Sequence, residues 1–379
     1  MRVNAGRTLM PWLLLLFGLP GLVLADGLAG DWGGLMPRMG DHGLTLETVY
    51  IGEFVRNLDP GRVSSRKDTI YDDNLDLTAT LDTERAGLWS GGTFFVYGLL
   101  NHGGFPSAGV IGDLQTVSNI EANRNQFILH QAWYEQRFAD GTLSLLAGLH
   151  DLNSEFYSSE FASLFVNSSF GIGPEISGNV SGPLFPKAAL GLRLRLLPQD
   201  GWYIQSAVYD GDPVTRSISN TEGYMSIVEA GLLAGNGRSY KLGVWHHSGD
   251  RSFAGREFGS DYGAYGLADA PLVSFTNGAA IGGFVQLGWV PKQRNEITRY
   301  VGAGLHLSGI PLRRHDEFGL ATANAYTRTG TEHVIEATWH VTVLPGLALQ
   351  PSMQWILNPG GDSAASTIRV ALLRFEIAL

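Results

Sequence analysis

Cysteine is absent from all 379 residues. That excludes disulfide frameworks, thiolate metal sites, cysteine nucleophiles and a lipid-modified N-terminal cysteine together. Charge is scarce too, at 16% of residues, and 36 Asp and Glu against 26 Lys and Arg leave a formal charge of -10. Nucleic acid is therefore not an expected partner, because phosphate neutralisation needs clustered cations. Past the N-terminus no stretch approaches the ~20 apolar residues of a membrane-spanning helix, although 44% of the chain is hydrophobic. The HExxH and GxSxG motifs and a phosphate-binding loop are all missing, and no cofactor is implied. Glycine is what abounds: 50 residues, close to twice the usual ~7%.

The N-terminus reads as a secretory signal over residues 1–25. Arg2 and Arg7 supply the positive region, Leu9 to Val23 the apolar one, and Val23-Leu24-Ala25 the small-residue cleavage site before Asp26. Pro11, Gly18, Pro20 and Gly21 interrupt any anchoring helix there. Residues 26–43 are expected to form a periplasmic segment with one short helix around Leu35 to Met39, and residues 44–379 a single domain.

That domain is organised on a period of two, the repeat of a strand with unlike faces. Between Asn74 and Asp82, Leu75, Leu77, Ala79 and Leu81 alternate with Asp76, Thr78 and Thr80; in Ala188 to Leu197, Leu190, Leu192, Leu194 and Leu196 oppose Gly191, Arg193 and Arg195. Sixteen such segments run from Leu44–Phe54 to Thr367–Leu379. Their connections alternate between mostly tight (Ala139 to Gly141, Leu344 to Gly346) and often long (His102 to Gln126, Asp151 to Pro186). Mid-strand charges such as Glu135, Arg193, Glu336 and Arg374 share the polar phase, while Tyr50, Phe54, Phe138, Trp202 and Trp339 fall on the apolar phase near strand ends, as interfacial girdles do. The expected fold is all-β: a 16-stranded antiparallel transmembrane β-barrel, apolar face to lipid and polar face to a water-filled lumen. A soluble sandwich with the same alternation is the rival.

The third long connection does not look like a loop. Within Asp151 to Glu175, Leu152, Phe156, Tyr157, Phe161, Leu164, Phe165, Val166 and Phe170 are mixed with carboxylates and amides, so one side must be buried. Tyr157, Phe161, Leu164 and Phe165 have helical spacing over about two turns. A long extracellular loop of this kind is expected to fold into the barrel.

This run, with GDWGGL (Gly30 to Leu35), NIEA (Asn119 to Ala122), AWYEQ (Ala132 to Gln136), AALGLRLR (Ala188 to Arg195), VYDGDP (Val208 to Pro213) and NPGG (Asn358 to Gly361), occurs in order along nearly all of the exported chain. The chain resembles the carbohydrate-selective outer-membrane porins of the OprB family. The resemblance implies passive sugar diffusion through a narrow eyelet in a Gram-negative outer membrane. It also implies an aromatic C-terminal residue, whereas this chain ends on Leu379.

A sugar needs donors and acceptors for its hydroxyls and flat aromatic surface for its C–H face. The candidate eyelet residues are Asp76, Glu121, Arg124, Trp133, Glu135, Arg137, Asp151, Asn153, Glu155, Glu160, Arg193, Arg195, Trp245 and Glu336. Alanine at Arg193 and Glu155 is expected to change sugar flux more than small-ion conductance. Asp210 and Asp212 invite a calcium reading, but a Gly-Asp-Pro turn explains them equally. His246 and His247 point to opposite faces of one strand. The expected partners are small carbohydrates and outer-membrane lipid, with a monomeric or homotrimeric barrel. A general porin and an outer-membrane hydrolase with dispersed Ser, His and acid groups are the alternatives.

Overall fold

A computed structural model describes Leu28 and residues 30–122, 125–198, 201–219, 221–234 and 237–379. The signal segment and Arg124 lie outside the described residues.

Chain alternation becomes a closed sheet. After α1 (Leu35–Asp41) come β1 (Leu44–Asn57), β2 (Thr69–Asp82), β3 (Gly92–Gly103), β4 (Gln126–Phe138), β5 (Leu143–His150), β6 (Ala189–Leu196), β7 (Trp202–Asp210), β8 (Tyr224–Ala234) and β9 (Arg238–His247). A small hairpin, β10 (Arg251–Phe253) and β11 (Arg256–Phe258), precedes β12 (Asp261–Ser274), β13 (Ala280–Trp289), β14 (Ile297–Ser308), β15 (Glu317–Thr327), β16 (Thr331–Leu344), β17 (Leu347–Leu357) and β18 (Ile368–Ala378). Every strand but the hairpin pair joins one antiparallel barrel of sixteen, closed where β1 pairs with β18 through Tyr50 opposite Ile377. All sixteen expected segments are present, with ends displaced by a few residues.

The two faces separate as the alternation requires. Leu242 is 72% exposed on the outer face, and Leu192, Leu287, Leu305 and Leu320 are exposed beside it. Glu53, Glu229, Gln286, Glu336 and Arg374 are buried inside. A polypeptide that covers its outside with leucine and its inside with ion pairs is suited to lipid, and closure leaves no unpaired strand edge. The soluble-sandwich alternative is thereby overturned.

The lumen is less polar than alternation alone suggests. Residues 151–188, joining β5 to β6, enter the barrel and place Phe165, Val166 and Phe170 against Phe284, Tyr300, Ala321, Val334, Ile356 and Val370 of the wall. Nearer the long-loop rim, Leu152, Phe156, Tyr157 and Ile176 pack on Tyr209, Ile227, Trp245 and Tyr265. Burying each such side chain contributes about 1.5–3 kcal/mol. Wall glycines make room: a Cβ on Gly282 would lie 2.2 Å from the Phe161 ring, and one on Gly319 2.6 Å from the Phe165 ring. The β3–β4 connection follows the loop inward, donating Asn119 N–H to Val166 O at 2.8 Å and accepting Ser168 N–H at Thr116 O at 3.0 Å.

The expected helix over Tyr157 to Phe165 does not form. Short 3-10 turns at Leu152–Ser154 and Ser168–Phe170 and a single α-helical turn, α2 (Pro174–Ser177), appear instead, and Tyr157 takes a left-handed φ of 61°. Wall carboxylates accept the amides that a helix would have bonded to its own carbonyls. Glu229 on β8 accepts Tyr157 N–H at 3.1 Å, and Asp269 on β12 accepts Phe161 N–H at 3.2 Å. Glu336 on β16 accepts Val166 and Asn167 N–H at 2.8 and 2.9 Å.

Replacing Glu336 by alanine strands two buried amides. The expected loss is about 2–3 kcal/mol, read as a lower urea midpoint of the barrel in detergent. Glu336→Gln, which keeps one accepting oxygen, should fall between.

Candidate functional site

With the loop packed on β12–β18 and, near the long-loop rim, on β7–β9 as well, space remains toward the short turns along β2–β9. A cavity of about 130 Å³ there is lined by Thr80, Thr93, Trp133, Glu135, Arg137, Arg195, Tyr203 and Lys241 of the wall and by Ser154, Glu155 and Ser158 of the inward loop. Several lining positions, such as Thr93, Arg137 and Leu197, sit where strands meet the short turns, so the cavity lies on that side of the loop.

An ion-pair ladder forms its floor. Glu135 on β4, Arg193 and Arg195 on β6 and Glu155 on the loop share the inward phase, which brings them together across β4–β5–β6. Arg193 Nη2 lies 2.8 Å from Glu135 Oε1 and 2.7 Å from Glu155 Oε1, and its Nη1 bonds the Ser144 hydroxyl. Arg137 reaches Glu135 at 3.0 Å, and Arg195 lies 3.8 Å from Glu155 while donating to Gln205 at 2.8 Å. Arg193 is 1% exposed and is the strut of this network; Arg137 and Arg195 are more open and face the cavity. Burial alone would raise the Glu155 carboxyl, but the Arg195 and Arg193 guanidiniums outweigh it and hold the group at about 2.

Flat surface is present beside the charges. Trp133 stacks on Phe95 with centroids 4.8 Å apart and planes at 25°, and its indole N–H donates to Gln131 at 3.2 Å. Carboxylate acceptors, guanidinium forks and an indole edge within one cavity are the groups a polyhydroxylated ring engages.

Of the described candidates, Trp133, Glu135, Arg137, Glu155, Arg193 and Arg195 are brought together; the other described ones lie elsewhere. Asp76 accepts the Tyr97 hydroxyl at 2.7 Å, two inward positions along β2 from Thr80. Glu121 caps the β3–β4 connection, accepting Ser107 N–H at 3.1 Å, and burial pushes its carboxyl up to about 7. Asp151 accepts Asn153 N–H at 3.3 Å, and burial raises it to about 7. The Asn153 side-chain amide donates to Phe156 O and Gly171 O within the loop. Glu160 is exposed on the loop, its carboxyl raised by partial burial and by Asp269. Trp245 is buried beneath the loop, and Glu336 is spent on loop amides.

Lys241 and Tyr203 were not among the candidates. Lys241 donates to Ser158 O at 2.6 Å, and Tyr203 lies 5.6 Å from the Arg195 guanidinium. Lys241 shares the inward phase with Trp245 on the same strand, which was a usable signal.

A sixteen-stranded barrel with an inward loop leaving a small charged passage along one wall defines a porin. Residues 66–379 match the carbohydrate-selective porin, OprB family; the chain belongs to that family. Porin B of Pseudomonas aeruginosa is 24% identical over 418 residues, covering 92% of this chain and 90% of that protein. A high-pH structure of Pseudomonas putida OprB superposes with a TM-score of 0.85 at 20% identity, covering 93% of this chain and 98% of that one. An anion-selective porin from Comamonas acidovorans gives 0.59 at 13% identity, with 89% and 99% covered. Porins are passive outer-membrane channels, so the hydrolase alternative is set aside.

Arg193→Met should cost about 3–5 kcal/mol, because Glu135 and Glu155 would stay buried without their shared cation; the urea midpoint in detergent reads this. Glu155 ionises below its unfolded value, so its contribution is fully present above about pH 4.3 and is lost as pH falls toward about 2. The stability gap between the native protein and Glu155→Gln should hold from neutral pH to about 5 and then shrink. A gap already gone at pH 6 contradicts the ion-pair assignment.

Proposed function

We propose that this porin admits monosaccharides of glucose size, and that Glu135, Arg137, Glu155, Arg195 and Trp133 form its recognition point, with Arg193 holding both glutamates in place. The observation carrying this reading is the placement of acceptors, forked donors and a stacked indole around one cavity of about 130 Å³. Binding there is weak by requirement, since a solute that enters must also leave. The remaining parts of the reading are export by a cleaved signal over residues 1–25, a periplasmic residues 26–43, lipid around the barrel, and a barrel that works alone or as a homotrimer. Asp76, Glu121, Asp151, Asn153, Glu160, Trp245 and Glu336 support the passage rather than touch the sugar.

A second reading, an anion-preferring channel, is favoured by the cavity's charge balance: Arg137, Arg195 and Lys241 against Glu135 and Glu155. Planar-bilayer recordings separate the two. Arg195→Ala and Trp133→Ala should weaken glucose block of the current about tenfold, the loss of one charged hydrogen bond or one stacking face, with little change in potassium chloride conductance. Unchanged glucose block with a shifted reversal potential selects the anion reading.

A further inference from the structure

Outside the lumen, one sector of the long-loop rim carries arginines that no acid neutralises. On the outer face, Trp289 of β13 lies opposite Arg299 of β14, Arg299 opposite Tyr326 of β15, and Tyr326 opposite Thr331 of β16. Arg299 is exposed with its guanidinium 5.0 Å from the Tyr326 ring centroid. Tyr262 extends the row, 6.3 Å from Trp289 between ring centroids. The two connections above this row, residues 290–296 and 328–330, are short for that rim. They add Lys292 and Arg328, both exposed, with Arg328 stacked 5.4 Å from Phe253, and Arg294, which lies 5.3 Å from the Tyr262 ring. Just below, Asn324 and His333 face outward and bond each other at 2.6 Å.

Two outward arginines elsewhere on the rim are occupied. Arg56 donates to Thr69 at 2.8 Å, and Arg369 grips Asp59 with two bonds at 2.8 and 2.9 Å. Arg299, Arg328 and Lys292 form no ion pair among the described residues. Glu296, exposed in the same short loop, and Asp250 and Glu257 of the adjoining hairpin connection are the local counter-charges, set against Arg299, Arg328, Lys292, Arg294 and Arg256, and Asp261 is taken by Arg251. The sector thus keeps a cationic excess on a chain of net charge -10.

The geometry points to a binding site for the phosphorylated headgroup of an outer-leaflet glycolipid, held by Arg299 and Arg328 with Lys292 beside them. Guanidinium forks match phosphate oxygens two at a time. The row stands at the aromatic girdle on the lipid side of the wall, where headgroups lie, below the β10–β11 hairpin whose Phe253 and Phe258 rings back Arg328 and Arg294. A ring-stacked guanidinium is also pre-oriented, which lowers the entropic cost of binding. The Asn324–His333 pair, one tier deeper, meets the carbonyl and hydroxyl region beneath the headgroup.

Native mass spectrometry of the full-length protein in detergent tests this with bis-phosphorylated lipid A, its dephosphorylated form and inorganic phosphate as probes. The native protein should retain phosphorylated lipid A about tenfold or more over the dephosphorylated form. R299Q/R328Q should lose that preference, whereas R56Q should keep it. Arg299→Lys with Arg328→Lys should give an intermediate loss, since charge remains without the fork. Glucose block unchanged in R299Q/R328Q shows that the barrel is intact. Equal retention of both lipid forms, full retention by R299Q/R328Q, or displacement by millimolar inorganic phosphate overturns the assignment, the last by making the sector a free-anion site.

Discussion

The structure depends on side chains of the barrel wall satisfying the backbone of the segments that enter the barrel. Carboxylates of Glu229, Asp269, Glu332 and Glu336 accept loop amides, while Gln286, Gln350, Gln354 and Lys241 donate to loop carbonyls. A chain folded into a dry interior has no water to take these roles, and an unpaired buried amide costs about 1–3 kcal/mol. The inward loop can therefore be irregular without being mobile. Its aromatic side chains fill the remaining space, so hydrogen bonds set its path and burial sets its adherence.

The asymmetry of the channel follows. Inward positions on β13–β18 include Ala321, Ala323, Val334, Ile356 and Val370, which are apolar or small and receive the loop's phenylalanines. Inward positions on β4–β9 carry Glu135, Arg137, Arg193, Arg195 and Lys241, which resist being covered by apolar surface. The Phe165 to Phe170 stretch settles on the first side, Leu152, Phe156 and Tyr157 cover β7–β9 near the long-loop rim, and the charged cavity is left on the short-turn side of the loop. Selectivity for sugar over apolar solute thus starts with where the loop can afford to pack.

Much of the barrel was legible because each strand carries its own instruction. Alternation in segments such as Leu190–Arg195 needs no knowledge of neighbours, and a one-residue slip would turn every leucine inward. The site was legible in part. Glu135, Arg193 and Arg195 were identifiable as inward charges, but Glu336 has the same sequence character and bonds Val166 and Asn167 instead of facing the cavity. Lys241 escaped notice because a single lysine between apolar residues also reads as a surface group. Gly282 and Gly319, whose missing side chains seat Phe161 and Phe165, carry no local sign of that role.

The sequence by itself determined strand number, the face each residue takes, and that the β5–β6 connection has a side to bury, because period and composition are properties of short stretches. Only the tertiary structure decided the loop's largely non-helical path, the parts of the lumen it fills, and which inward charges meet across β4, β6 and the loop. Those outcomes depend on distances between residues far apart in the chain, and such distances exist only once the sheet has closed.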